Sequence, residues 1–193
     1  MKSLIITLKM LLFLSVLTGV VFPLIVTGIA QIVFKDKANG SLVEKNGSVV
    51  GSTLIGQKFD TVIYFSSRPS AISYNPLPSG GSNLGLTNNR LFVLSEQRRH
   101  QFISFNKLDT LTTVPSEMLF ASASGLDPHI SLKSALLQYE RVSGARKLNE
   151  SQKAKLKELI FKLTEHKQFS CLGEERINVL QLNLSLDKLT DNK

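Results

Sequence analysis

From Met10 to Phe34 the chain reads MLLFLSVLTGVVFPLIVTGIAQIVF, with no charged residue and Gln31 as its only strongly polar side chain. At about 1.5 Å rise per residue, a helix of this run covers about 37 Å, more than the about 30 Å of a bilayer's hydrocarbon core. A secretory signal has a shorter apolar region ending at a small-x-small cleavage site, whereas this run passes into Gln31, Ile32 and Val33. A buried core helix would show an apolar stripe, but here every face is apolar. The run predicts one transmembrane helix over residues 10–34, preceded by a short tail, residues 1–9.

Within this helix Pro23 removes one backbone hydrogen bond. It stands among Thr18, Gly19, Thr27 and Gly28, small residues that let a second helix approach closely. Gly19, Pro23, Thr27 and Gly28 are therefore candidate packing residues, although glycine and proline are frequent in membrane helices generally. Flanking charge does not set orientation: Lys2 and Lys9 precede the helix, while Lys35, Lys37 and Lys45 follow it beside Asp36 and Glu44.

The remainder of the 193 residues suffices for one ordinary domain. A polar connection over residues 35–48 leads into a soluble domain over residues 49–193. The formal charge of +8 is spread along the chain without a recognition motif, which reads as a solvated basic surface and not as nucleic-acid binding. A single cysteine, Cys171, excludes an internal disulfide and a multi-cysteine metal site.

The β-branched and aromatic stretches SVVGSTLIGQKF and DTVIYF predict two short strands, or one strand and an irregular edge. Residues 66–90, rich in proline, glycine, serine and asparagine, predict a long ordered loop. A helix follows from Leu91, capped by Asn88 or Asn89. VPSEMLFASA predicts a short strand. Leu132, Ala135, Leu136, Tyr139 and Val142 then recur at helical spacing. Asp127 before Pro128 fits a cap and first helical position, with Ser131 as the alternative cap. Asn149 and Gln152 have capping-box spacing ahead of Leu156, Leu159, Ile160 and Leu163. INVLQLNLSL alternates at Leu180, Leu182, Leu184 and Leu186 and predicts a bulged strand. The fold class expected is α+β, with the membrane helix followed by a single α+β domain.

Candidate chemistry is sparse. GSTLIGQK, residues 51–58, approaches a phosphate-binding loop, but Gln57 sits where the lysine belongs and no hydroxyl follows Lys58. Ser79, Gly80, Gly81, Ser82 and Asn83 form a glycine loop whose N–H groups could converge on a phosphate or on another backbone, with a tight structural turn as the alternative. His100, His129 and His166 are far apart and lack a second ligand at i+3 or i+4, so no metal site is expected. No spacing supports a carboxylate pair of Asp127 with Glu117 or Glu140. In ASASGLDPHIS, residues 121–131, Ser124, Asp127 and His129 contain the residue types of a hydrolase triad, although neighbours on one turn rarely point to a common centre.

FSSRPSA (residues 65–71), YNPLPSGGSNLG (74–85), ASASGLDPHIS (121–131) and LGEERINVLQLNLSL (172–186) occur in this order behind one membrane helix. Together they closely resemble the C subunit of the bacterial Kdp-type potassium-transporting ATPases, the KdpC family. FPLIVTG resembles that family's helix motif, with Phe22 in place of a tyrosine. Ala123, Leu86 and Asn89 depart from common glycine and proline positions, which alters loop stiffness and not chemistry. The resemblance implies a subunit without a catalytic residue, in the bacterial plasma (inner) membrane, with a cytoplasmic N-terminus and an extracytoplasmic domain. Implied partners are a channel-like potassium-binding subunit, a P-type ATPase subunit and a small single-helix subunit. Two roles follow from it: a chaperone raising the ATPase subunit's affinity for a shared ATP, or a cap over the potassium entrance. Arg68, Asp127 and His129 are then candidates for holding a loop or a partner, and the alternative is a membrane-anchored hydrolase using Ser124, Asp127 and His129.

Overall fold

The computed structural model describes residues 2–45 and 47–191, and the chain divides into two units after Val50. The first unit is dominated by one helical rod, Lys2–Val33. It consists of α1 (Lys2–Val16), a π-helical turn (Leu17–Val21) and α2 (Phe22–Val33). Helix therefore begins at Lys2, inside the stretch read as a tail. The π turn sits directly ahead of Pro23, where Phe22 N–H donates to the Leu17 carbonyl, five residues back. Proline offers no N–H to the carbonyl four residues before it, and a wider turn absorbs the resulting misfit. Thr18 donates its hydroxyl to the Leu14 carbonyl at 2.8 Å, which helps hold polar backbone within an apolar rod.

The stretch read as an open connection is partly ordered. It holds a helical turn, α3 (Lys35–Ala38), and β1 (Leu42–Lys45), which pairs with β2 (Ser48–Ser52).

The second unit contains α4 (Asn89–Asn106), β3 (His129–Ile130), α5 (Leu132–Ala145), α6 (Glu150–Lys162), β4 (Ile177–Asn178) and α7 (Val179–Asp191). Helix α5 packs against α4 and α6, and α6 packs against α7. The antiparallel β3–β4 pair sets His129 opposite Asn178 and Ile130 opposite Ile177. Phe65, Ile130, Val142, Leu156, Ile160, Ile177, Leu182 and Leu186 form the heart of the core. The α+β class is observed, with helices supplying most of the core.

Cap chemistry explains the helix starts. Asn88 accepts from Arg90 N–H, and Asn149 with Gln152 forms the expected capping box. At α5 the cap is Ser131, whose hydroxyl accepts from Ser134 N–H, so Asp127 and Pro128 do not start this helix.

Two strand expectations fail, and a third segment takes the alternative form expected of it. VPSEMLFASA contains a 3-10 turn, Ser116–Met118, because Glu117 swings toward the α5 cap. INVLQLNLSL is only two residues of strand before α7. Asn178 accepts from Gln181 N–H, and Val179, Leu182 and Leu186 then recur inward at helical spacing. DTVIYF forms no strand but an irregular edge, the second of the two expected forms.

Candidate functional site

Side chains satisfy the DTVIYF backbone where a sheet neighbour would otherwise do so. Arg141 on α5 donates from Nη1 to the carbonyls of Val62 at 2.7 Å and Tyr64 at 2.9 Å. Arg146 Nε donates to the Ile63 carbonyl at 2.8 Å. Asn183 on α7 both accepts from Phe65 N–H at 2.8 Å and donates to its carbonyl at 2.9 Å, the two contacts of a sheet partner. Gln138 repeats that pattern at Ser66, accepting at 2.7 Å and donating at 3.3 Å. Phe65 is fully buried, so without these partners its backbone would be stranded away from water.

Arg141 is itself buried and has no carboxylate partner among the described residues. Its Nε donates to Asn106 at 2.8 Å, its Nη2 to Gln138 at 2.9 Å, and its guanidinium lies 4.4 Å from the Phe105 ring centre. Burial lowers its pKa to about 10, which leaves it charged at neutral pH. Arg146, by contrast, pairs with Asp187 at 2.7 Å, and Tyr64 donates its hydroxyl to the same carboxylate at 3.2 Å.

This clamp delivers Arg68. Its Nη1 meets Asp127 Oδ2 at 2.6 Å, while its carbonyl accepts from the Tyr74 hydroxyl and Ser67 Oγ donates to the Gln57 carbonyl at 2.8 Å. Burial raises the Tyr74 phenol to about 12. Asp127 Oδ1 accepts from His129 N–H at 3.0 Å and lies 3.3 Å from His129 Nδ1. Burial alone would raise the Asp127 pKa; the His129 bonds and the Arg68 charge outweigh it and hold the carboxyl at about 2. Sequence reasoning had Arg68, Asp127 and His129 as candidates, and the fold brings them together.

The glycine loop closes onto the same place. Gly80 N–H donates to the Ser124 carbonyl at 3.0 Å, and a Cβ on Gly81 would stand 3.0 Å from the Ala123 carbonyl oxygen. Gly125 has φ +70°, with an added Cβ only 2.6 Å from Ile72 Cγ1. Gly80 and Gly81 thus lie against another backbone. From the other side, Val179 N–H donates to the Pro128 carbonyl at 2.9 Å and Asn178 Nδ2 to the Thr53 carbonyl at 2.7 Å.

The triad arrangement is not formed. Ser124 Oγ accepts from Leu126 N–H at 3.1 Å, and no hydrogen bond joins it to His129 among the described residues. Asp127 Oδ1 does meet the His129 ring at 3.3 Å while Oδ2 pairs with Arg68, but Ser124 is not joined to that imidazole. His100, His129 and His166 lie apart, and no cluster of three or more metal-ligating side chains occurs among the described residues. Lys58 of the phosphate-loop look-alike pairs on the surface with Asp60 at 2.8 Å.

Sequence reasoning missed Gln138, Arg141, Arg146 and Asn183, and named Glu117 only to set it aside as a carboxylate partner of Asp127. Glu117 Oε1 accepts from the hydroxyls of Ser131 and Ser134, both at 2.5 Å. Burial would raise its pKa, but those hydroxyls hold it below the ordinary glutamate value. The available signal was polar: Ser134, Gln138 and Arg141 are spaced by four and three residues on α5.

Fold and junction define a class: an α+β domain behind a membrane-length helix, in which the four shared motifs form one interlocked junction. The family model for the K+-transporting ATPase c chain, KdpC, matches residues 4–188. This chain belongs to the KdpC family. It is 46% identical over 187 residues to the potassium-transporting ATPase KdpC subunit of Photorhabdus laumondii, covering 95% of each chain. It is 43% identical over 188 residues to that of Koribacter versatilis, covering 96% of this chain and 94% of the relative. With the Mycobacterium tuberculosis H37Rv subunit it shares 43% over 190 residues, 97% of this chain and 99% of the relative. Neither family membership nor the geometry of Ser124 supports the hydrolase reading.

Proposed function

We propose that this chain is the accessory, non-catalytic C subunit of a potassium-transporting ATPase in a bacterial plasma membrane. The Lys2–Val33 rod anchors it with a cytoplasmic N-terminus, and the domain lies outside. Its partners are the channel-like potassium-binding subunit, the P-type ATPase subunit and the small single-helix subunit of that complex. It supports ATP-driven potassium uptake by assembling with and stabilising them. The observation that carries this reading is the junction of the four motifs, most of whose polar groups pair with one another. Such a junction presents a fixed surface and reserves no nucleophile or base for a substrate.

ATP is held by the ATPase subunit, and any rise in its affinity is transmitted through assembly. In support, the Gly80 N–H that could meet a phosphate is committed to the Ser124 carbonyl. In the membrane rod, Gly19, Pro23 and Thr27 recur every four residues, and an added Cβ at Gly19 or Gly28 meets no atom within 4 Å. Those faces receive a neighbouring helix of the complex.

The test is extraction of the tagged chain in mild detergent from cells expressing the whole complex. Two much larger multi-span proteins should accompany it, and a chain that migrates alone refutes the assignment. Gly28→Leu should weaken this association while leaving the chain's own helix content unchanged. The exposed Cys171 provides the topology test. A membrane-impermeant maleimide should label it in intact cells; labelling only after permeabilisation would put the domain inside.

A further inference from the structure

An open groove of about 900 Å³ runs between α4 and the chain from Lys58 to Tyr74. Phe59, Phe102, Phe105 and Met118 give it an apolar floor. Two guanidinium groups line it. Arg68 is already paired with the Asp127 carboxylate through Nη1 at 2.6 Å. Arg98 donates Nη1 to the Leu119 carbonyl at 2.8 Å and has no carboxylate partner among the described residues. Among the described residues Asp60 is the one acidic residue lining the groove, and Lys58 pairs with it at 2.8 Å. With Arg68 neutralised by Asp127 and Asp60 by Lys58, Arg98 leaves the groove with a net positive charge over apolar walls.

We propose that this groove seats a carboxylate-bearing, apolar-anchored segment of another subunit, an inference that rests on the subunit assignment above. A carboxylate matches the planar guanidinium of Arg98 with a fork geometry that a point charge does not offer. Apolar side chains flanking it cover the phenylalanine floor. A small inorganic anion would leave that floor wet and most of the volume unfilled. The wall is also fixed in advance: Asn183, Gln138 and Arg141 hold the backbone leading into Arg68. Binding to a wall already ordered avoids much of the entropy cost that a floppy loop would incur.

Gln101 and Ser104 line the groove from exposed positions on α4 and are free of the clamp. In the complete complex, Gln101→Glu with Ser104→Glu should lower the yield of partner subunits on the tagged chain by about tenfold, because like charges face each other. Gln101→Lys with Ser104→Lys should retain them. Equal yields from both pairs, or equal losses, overturn the inference. If wild-type chain itself captures no partner, the subunit assignment fails, which is a different result. A second readout does not depend on the glutamate pair folding. Benzophenone maleimide on Ser104→Cys, in a chain carrying Cys171→Ser, should crosslink within the assembled complex to an acidic segment of a partner. Crosslinks to lipid alone would overturn the proposal in favour of an anionic headgroup.

Discussion

Replacing Arg141 with methionine tests the clamp directly. The change keeps the aliphatic stem and removes five donors from a residue that is 7% exposed. Its acceptors do not suffer equally. Thr61 and Val62 are exposed, so water can serve their carbonyls. Gln138 keeps the Ser66 N–H. Asn106, only 3% exposed, loses the donor to its Oδ1, and the half-buried Tyr64 carbonyl loses its own. One fully and one partly stranded acceptor cost about 1–3 and about 1 kcal/mol, and the lost stacking on Phe105 adds about 0.5–1 kcal/mol. Methionine also removes a buried charge with no counter-ion, which returns part of that sum. The net expectation is a loss of about 2–4 kcal/mol, a large share of the about 5–15 kcal/mol typical of a whole domain.

The assay is urea unfolding of the full chain in detergent, read by circular dichroism and by tyrosine fluorescence, since the chain has three tyrosines and no tryptophan. The amides of Phe65 and Ser66 should also exchange faster, because their acceptors sit on the loosened wall. Arg141→Lys should recover only part of the loss, as one ammonium cannot span the fork. A loss below about 0.5 kcal/mol, with unchanged exchange at Phe65 and Ser66, would refute the clamp and leave burial of the Phe65 ring as the anchor.

Asp127 gives a pH signature. Its carboxyl is held at about 2 against an ordinary 3.8, so its contribution is complete above pH 3.8 and is lost as pH falls toward 2. With its partial exposure the amount is about 1–2 kcal/mol; Asp127→Asn should flatten the stability profile in that window, and an unchanged slope would contradict the Arg68 pairing. Gly125→Ala should cost about 2 kcal/mol or more, because φ is +70° and the new Cβ would meet Ile72 and the Gly80 carbonyl oxygen at 2.6 and 2.8 Å. A neutral thermal midpoint would mean that the two loops separate easily. Ser124→Ala should shift stability by under about 0.5 kcal/mol and leave potassium-stimulated ATP hydrolysis by the complex unchanged. A collapse of turnover would contradict the spent role given to Ser124.

Much of the architecture was legible because it rests on local chemistry. An uncharged run longer than a bilayer's core leaves few options, and Asn88, Ser131 and Asn149 mark helix starts through their own side-chain oxygens. The motif residues Arg68, Asp127 and His129 were legible as candidates through family resemblance, while their mutual contacts were not. The errors came where local pattern and tertiary context disagree. Alternating leucines over residues 180–186 fit a strand period, yet Asn183 and Asp187 sit one turn apart on the same buried helical face. The π turn before Pro23 has its cause in sequence, but the alternative of a simple kink satisfies the same residues.

The clamp was hidden for a deeper reason. Period rules assume that an inward face is apolar, so Ser134, Gln138 and Arg141 read as solvent-facing beside the apolar Ala135 and Val142. They are inward because the DTVIYF backbone needs donors and acceptors that no strand supplies, and Asn183 reaches it across 118 residues of sequence. A strand-like composition is thus fulfilled by side chains in place of a sheet. The consequence is functional: the Arg68 loop, early in the domain, takes its geometry from α5 and from the last helix, α7. Any change that shifts α7 against α5 must move Arg68 relative to Asp127. Assembly-defective substitutions in α7 can therefore act without that helix touching a partner.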